Sequence, residues 1–191
     1  MASRAVAATA AVLGAISGLL LVRAVAPGAL DDYVSASGVP GQPHPASYRL
    51  GIYGLALTAG LLAWVTRSIV ALPLAVAVPM IALSGSVACT PGCPLPPYEQ
   101  STAQDLLHAT TSILGVGLCA LAMLAAAWRG STFSRIAVFV TWPLLAGTAI
   151  GIVAVGRGAV TGVLERLGLV ACVVWLVGFA VQLTRRPPPH G

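Results

Sequence analysis

Residues 106–128 read LLHATTSILGVGLCALAMLAAAW, a run with no formally charged residue, bounded by Asp105 and Arg129. The hydrocarbon core of a bilayer is about 30 Å thick and takes roughly 20 apolar residues of helix to cross. The run is long enough, lacks the strict alternation of a membrane barrel strand, and is far longer than one. It reads as a spanning helix. Charged residues divide the rest of the chain in the same way. Ala5–Val22 lies between Arg4 and Arg23, and Leu50–Thr66 between Arg49 and Arg67. Ser68 to about Cys89, Ile136–Gly156 and Leu167–Thr184 complete the set.

The whole composition agrees. Of 191 residues, 58% are hydrophobic and 8% charged, the mean hydropathy is +0.93, and Lys is absent. A soluble domain carries about 25% charged residues to cover its surface. Disorder is excluded by the apolar content, and a secreted disulfide scaffold by only four Cys in this length. The fold class expected is all-α: a polytopic integral membrane protein, a six-transmembrane-helix bundle with both termini cytoplasmic. Spans are expected at about 5–26, 48–67, 68–89, 105–128, 134–156 and 162–184, in one domain over 1–186, with 187–191 as a short cytoplasmic tail.

Orientation follows from the loops. A cytoplasmic N-terminus places Arg4, Arg67, Arg129, Arg135, Arg185 and Arg186 inside, and Arg23, Arg49, Arg157 and Arg166 outside. The acids Asp31, Asp32, Glu99, Asp105 and Glu165 then all fall outside. MASR, the first apolar run and Ala24-Val25-Ala26 also imitate a signal peptide, but the run exceeds a usual h-region and Arg23 sits at the would-be cut. An uncleaved anchor is the preferred reading. Gly14-x3-Gly18 and Gly147-x3-Gly151 suit close packing inside the bundle, with a dimer seam as the alternative. Pro73, Pro79 and Pro143 interrupt helices, while Cys119 and Cys172 read as small hydrophobes. No ionisable residue lies at mid-membrane depth, which argues against a proton relay, a voltage sensor or a paired-His haem site.

The polar chemistry is concentrated in the outer loops. In Cys89-Thr-Pro-Gly-Cys93, Pro-Gly favours a type II turn that brings the two cysteines within bridging range. A structural disulfide is the favoured reading; free thiols or a metal site are the alternatives. The following PLPP predicts a stiff, extended lid. Thr102-x-x-Asp105-x-x-His108 enters the fourth span, where Asp105, His108 and Ser112 share a helix face. Asp105 either orients the imidazole or caps the helix with Thr102. Glu165 and Arg166 open the sixth span; they complement its dipole and lipid phosphate, or else turn inward toward His108. Asp32, Ser35 and Arg157 complete the candidates. His108 is expected to share one polar pocket with Glu165 and at least one of Asp32 or Arg166. His44 and His190 are weak candidates.

DDYVSASG after the first span, CTPGCPLPPYEQSTAQDLLHA before the fourth and GRGAVTGVLERLG before the sixth resemble the six-span bacterial family catalogued as domain of unknown function 998. More loosely the chain is similar to Frag/DRAM/Sfk-type membrane proteins. The family's recurring polar positions correspond to Asp32, Ser35, His108, Glu165 and Arg166. The resemblance implies the six-span fold and an outward polar cluster, and it supplies no activity.

Three functions are therefore expected in order. The first is an outward-facing polar pocket that binds a lipid headgroup or small ligand. The second is an intramembrane hydrolase, with Asp32, His108 and Glu165 holding a metal-activated water or His108 serving as base to a Ser. The third is a membrane redox protein using Cys89 and Cys93. No cofactor is expected under the first reading, and zinc is the alternative under the second. Membrane lipids are the expected partners; neither nucleic acid nor a homo-oligomer is indicated. A bacterial plasma membrane is the expected location.

Overall fold

A computed structural model describes residues 2–66 and 68–185. Arg67, Arg186, His190 and the expected tail at 187–191 lie outside the described residues. Apolar runs between charges become six helices: α1 (Ala2–Val25), α2 (Pro45–Thr66), α3 (Ala71–Ser86), α4 (Ala103–Trp128), α5 (Thr132–Ala154) and α6 (Ala159–Arg185). No strand occurs among the described residues. Five of the helices are long and apolar enough to cross a membrane.

The exception is α3. Its 16 residues measure about 24 Å at 1.5 Å per residue, less than the expected span over 68–89. Ser68–Val70 form a turn closed by the Ala71 N–H on the Ser68 carbonyl at 2.8 Å. At the far end Val87 leaves the helix with extended backbone, ψ 107°. Hydropathy alone does not separate such flanking turns from the helix they adjoin. Pro73 falls in the first turn of α3, where an N–H would lack a helical partner anyway; Pro79 and Pro143 lie inside α3 and α5.

Successive helices are neighbours, and α6 closes the ring against α1. Short links at 68–70 and 129–131 gather at one end. The longer loops 26–44 and 87–102, with 155–158, gather at the other, which we call the capped end. Leu62, Leu74, Met123, Trp175 and Phe179 fill the interior away from that cap. The Trp175 indole N–H donates to Ser134 Oγ at 3.0 Å, and its ring stacks on Phe179 at 5.2 Å. Val12, Leu19, Trp64, Leu72 and Phe139 point outward and exposed, an apolar coat of the kind that lipid covers. Gly14 and Gly18 lie against Thr58, Val177 and Val173, and Gly147 and Gly151 against Leu164 and Thr161. Both small-residue seams are used inside the bundle.

Candidate functional site

The cap is tied together by three sets of side chains. The first centres on Asp105, 1% exposed at the start of α4. Thr102 caps the helix: its hydroxyl accepts from Asp105 N–H, and its own N–H donates to Asp105 Oδ2 at 2.9 Å. Asp105 Oδ1 accepts from Thr90 N–H at 2.6 Å, and the Thr90 hydroxyl reaches the same carboxylate at 3.0 Å. The carboxylate therefore joins the CTPGC turn to α4. That turn is the expected one: Cys93 N–H donates to Thr90 O at 2.9 Å, and Gly92 sits at φ 86°, where glycine carries no steric cost. Cys89 and Cys93 lie at disulfide distance, Cα–Cα 5.1 Å, buried with Tyr33, Ala36 and Val39.

The second set clamps the first loop to α6. Glu165 Oε2 accepts from Val34 N–H at 2.9 Å, at the start of a short 3-10 helix, Val34–Gly38, in a region read from sequence simply as loop. The Arg166 guanidinium donates to the carbonyls of Ala29 at 2.6 Å, Asp32 at 2.9 Å and Leu30 at 3.3 Å. Arg157 bridges the loops, pairing with Glu99 and lying 3.6 Å from Asp32 Oδ1. Burial holds the Tyr33 phenol above its ordinary 10.0; Glu99 and Glu165 add to the shift and Arg157 opposes it. PLPP is not extended. It turns over 96–98, with Glu99 N–H on Leu95 O at 3.2 Å. The turn delivers Tyr98, whose hydroxyl donates to Val153 O at 2.9 Å and whose ring packs on Gly156.

The third set surrounds His108, 3% exposed. Its Nδ1 lies 2.6 Å from the Val87 carbonyl, which can only accept, so Nδ1 carries the proton. Nε2 is buried and has no hydrogen-bond partner among the described residues. His108 lines a narrow seam with Ser35, Gly38, Tyr48, Arg49, Ser84 and Cys89, too tight for a water-sized guest. Ser112 fixes one wall, bonding Ser84 Oγ at 2.6 Å across α3 and α4. Arg49 is half-buried at the seam and has no hydrogen bond or ion pair among the described residues.

Several expectations are corrected here. Asp105 does not orient His108; Val87 does, and Asp105 is fully engaged by Thr90 and Thr102. Glu165, Asp32 and Arg166 do not line the His108 seam, because the α6 pair is occupied by the first loop and Asp32 meets Arg157. Only Ser35 of the first-loop candidates reaches it. Among the described residues no three His, Cys, Asp or Glu side chains gather where a metal ion could be held, so Asp32, His108 and Glu165 form no such set. Sequence reasoning missed Arg49, Tyr48, Ser84, Thr90 and Val87. Arg49 served only as a topology marker, although its place at the start of α2 puts it at the same end as His108.

Comparison with family models, with curated proteins and with solved structures finds no match to this chain.

Proposed function

We propose that this is a six-span protein of a bacterial plasma membrane, with both termini cytoplasmic and the capped end outward. Its activity is non-enzymatic binding of a lipid headgroup or small ligand at the seam beside His108. One observation carries the reading. A buried imidazole nitrogen without a partner costs roughly 1–3 kcal/mol, and here it lies beside an unpaired, half-buried arginine. Asp105, Glu165, Arg157 and Arg166 are paired within the cap, whereas His108 Nε2 keeps unused capacity at the seam. The Arg bias between loops supports the orientation, and the resemblance to domain of unknown function 998 accords with it.

Native mass spectrometry of protein released from membranes tests the binding. Wild type should retain a small-molecule adduct that His108→Ala loses while still inserting, and equal adducts on both would refute the reading. Reporter fusions at Ser131 and Gln100 should report inside and outside respectively; the reverse result overturns the orientation.

A further inference from the structure

We infer that the seam takes a phospholipid whose headgroup carries a hydroxyl: Arg49 holds the phosphate and His108 Nε2 bonds the headgroup hydroxyl. The inference rests on the proposed binding reading and gives it a chemistry.

Three observations specify the two ends of the ligand. With Nδ1 turned to the Val87 carbonyl, Nε2 is the remaining polar atom of the ring, buried and without a partner among the described residues. A headgroup hydroxyl, which both donates and accepts, matches that atom. Arg49 supplies the opposite requirement. Its guanidinium is a planar fork of donors with no acceptor capacity, suited to phosphate oxygens, and no carboxylate or carbonyl among the described residues occupies it. Arg157 is engaged by Asp32 and Glu99 and Arg166 by loop carbonyls; Arg23 is exposed, and Arg49 is the arginine that lines the seam.

The third observation selects lipid over a soluble phosphate. Arg49 stands at the boundary between the cap and the apolar coat. On the same helix Leu50, Tyr53 and Leu57 are exposed, Leu83 is exposed on the neighbouring α3, and Tyr53 bonds Ser86 to hold the two helices together at 3.1 Å. Acyl chains laid on this surface would leave the phosphate level with Arg49. Tyr48 packs face-on against Gly38, so the backbone beside Arg49 is held from behind. The seam holds no water-sized space at His108, so the inferred complex has it widened, with Arg49, the half-buried side chain at its edge, turned to the phosphate.

The two ends can be tested separately. Purified protein in neutral detergent is titrated with phosphatidylglycerol, with phosphatidylethanol (the same phosphodiester without a headgroup hydroxyl), with diacylglycerol, and with soluble glycerol phosphate, reading adduct fractions by native mass spectrometry. Wild type should prefer phosphatidylglycerol to diacylglycerol by roughly tenfold, the ratio worth about 1.4 kcal/mol in a charge-assisted pair. Arg49→Gln should erase that preference, and Arg49→Lys should restore part of it. Because Arg49 makes no hydrogen bond or ion pair among the described residues, Arg49→Gln should still insert. His108→Ala should erase the discrimination between phosphatidylglycerol and phosphatidylethanol while keeping the preference over diacylglycerol. Equal binding of all three lipids by wild type, or a silent Arg49→Gln, overturns the phosphate assignment. Saturation by glycerol phosphate at the concentration that phosphatidylglycerol requires overturns the lipid assignment. If His108→Ala loses an adduct that Arg49→Gln keeps, the ligand is uncharged: the inference fails and the binding reading stands. If neither variant changes any adduct, both fail.

Discussion

Replacing Asp105 with Asn tests the central knot of the cap. The carboxylate accepts from two backbone N–H groups, Thr90 at 2.6 Å and Thr102 at 2.9 Å, and from both threonine hydroxyls. An amide has one oxygen for this task. If that oxygen stays with Thr90, the new NH2 faces the Thr102 N–H, two donors with nothing between them. The Thr102 hydroxyl can rotate to accept, but the N–H is stranded at a helix start, which costs roughly 1–3 kcal/mol. The surviving bonds lose their charge assistance and helix-dipole support, adding about 1 kcal/mol. The sum is about 3 kcal/mol. Thermal unfolding in micelles, followed by circular dichroism, should therefore fall by roughly 6–12 °C on the scale of 2–4 °C per kcal/mol for chains this long. Thr90→Ala removes one hydroxyl and should cost only about 1 kcal/mol. In the double variant the losses should fall short of additivity, since the partners are shared. A shift below about 2 °C for Asp105→Asn, on the same scale, would show that the four contacts do not hold the cap.

The remaining expectations follow the other contacts. Arg166→Gln should destabilise by about 2 kcal/mol, because three loop carbonyls lose a charged donor, whereas Arg157→Gln should cost less than about 1 kcal/mol because its pairs are solvent-screened. Equal losses in chemical denaturation would reverse that ranking. Protein isolated without reductant should show no alkylation of Cys89 and Cys93 by mass spectrometry until it is reduced, and two alkylated thiols beforehand would sink the disulfide. Tyr33, raised above 10.0 in the fold, contributes stability that is intact below pH 10 and is lost as pH climbs from there toward the folded value. Tyr33→Phe should flatten this alkaline decline; an unchanged slope would place the titration elsewhere.

Much of the fold was legible because membrane helices are specified by what they lack. Uninterrupted stretches between Arg and Asp residues marked α1, α2, α4, α5 and α6 to within a few residues. The shortness of α3 was hidden, since Val87 and Ala88 are as apolar as the helix they leave, and the Val87 carbonyl meets His108 Nδ1 just where the helix ends. Within the site, Thr102-x-x-Asp105 announced its cap locally. The partners of Glu165, Arg166 and His108 did not show, because each is a backbone group in a distant loop, and a carbonyl or N–H has no residue identity to read. Such partners depend on the path of the chain, which composition does not record.

The clamp between the first loop and α6 also sets an order of events during synthesis. Val34 meets Glu165 across 131 residues, and Ala29 meets Arg166 across 137. A ribosome adding roughly 5–20 residues per second needs on the order of ten seconds to make that interval. Throughout it, the N–H of Val34 and the carbonyls of Ala29, Leu30 and Asp32 rely on water or on whatever escorts the nascent chain. A chain arrested after α5 would possess five of its helices yet still carry an undocked first loop. Completion of the last helix is thus the step that closes the first loop, which gives the cell's quality-control machinery a visible difference between finished and unfinished copies.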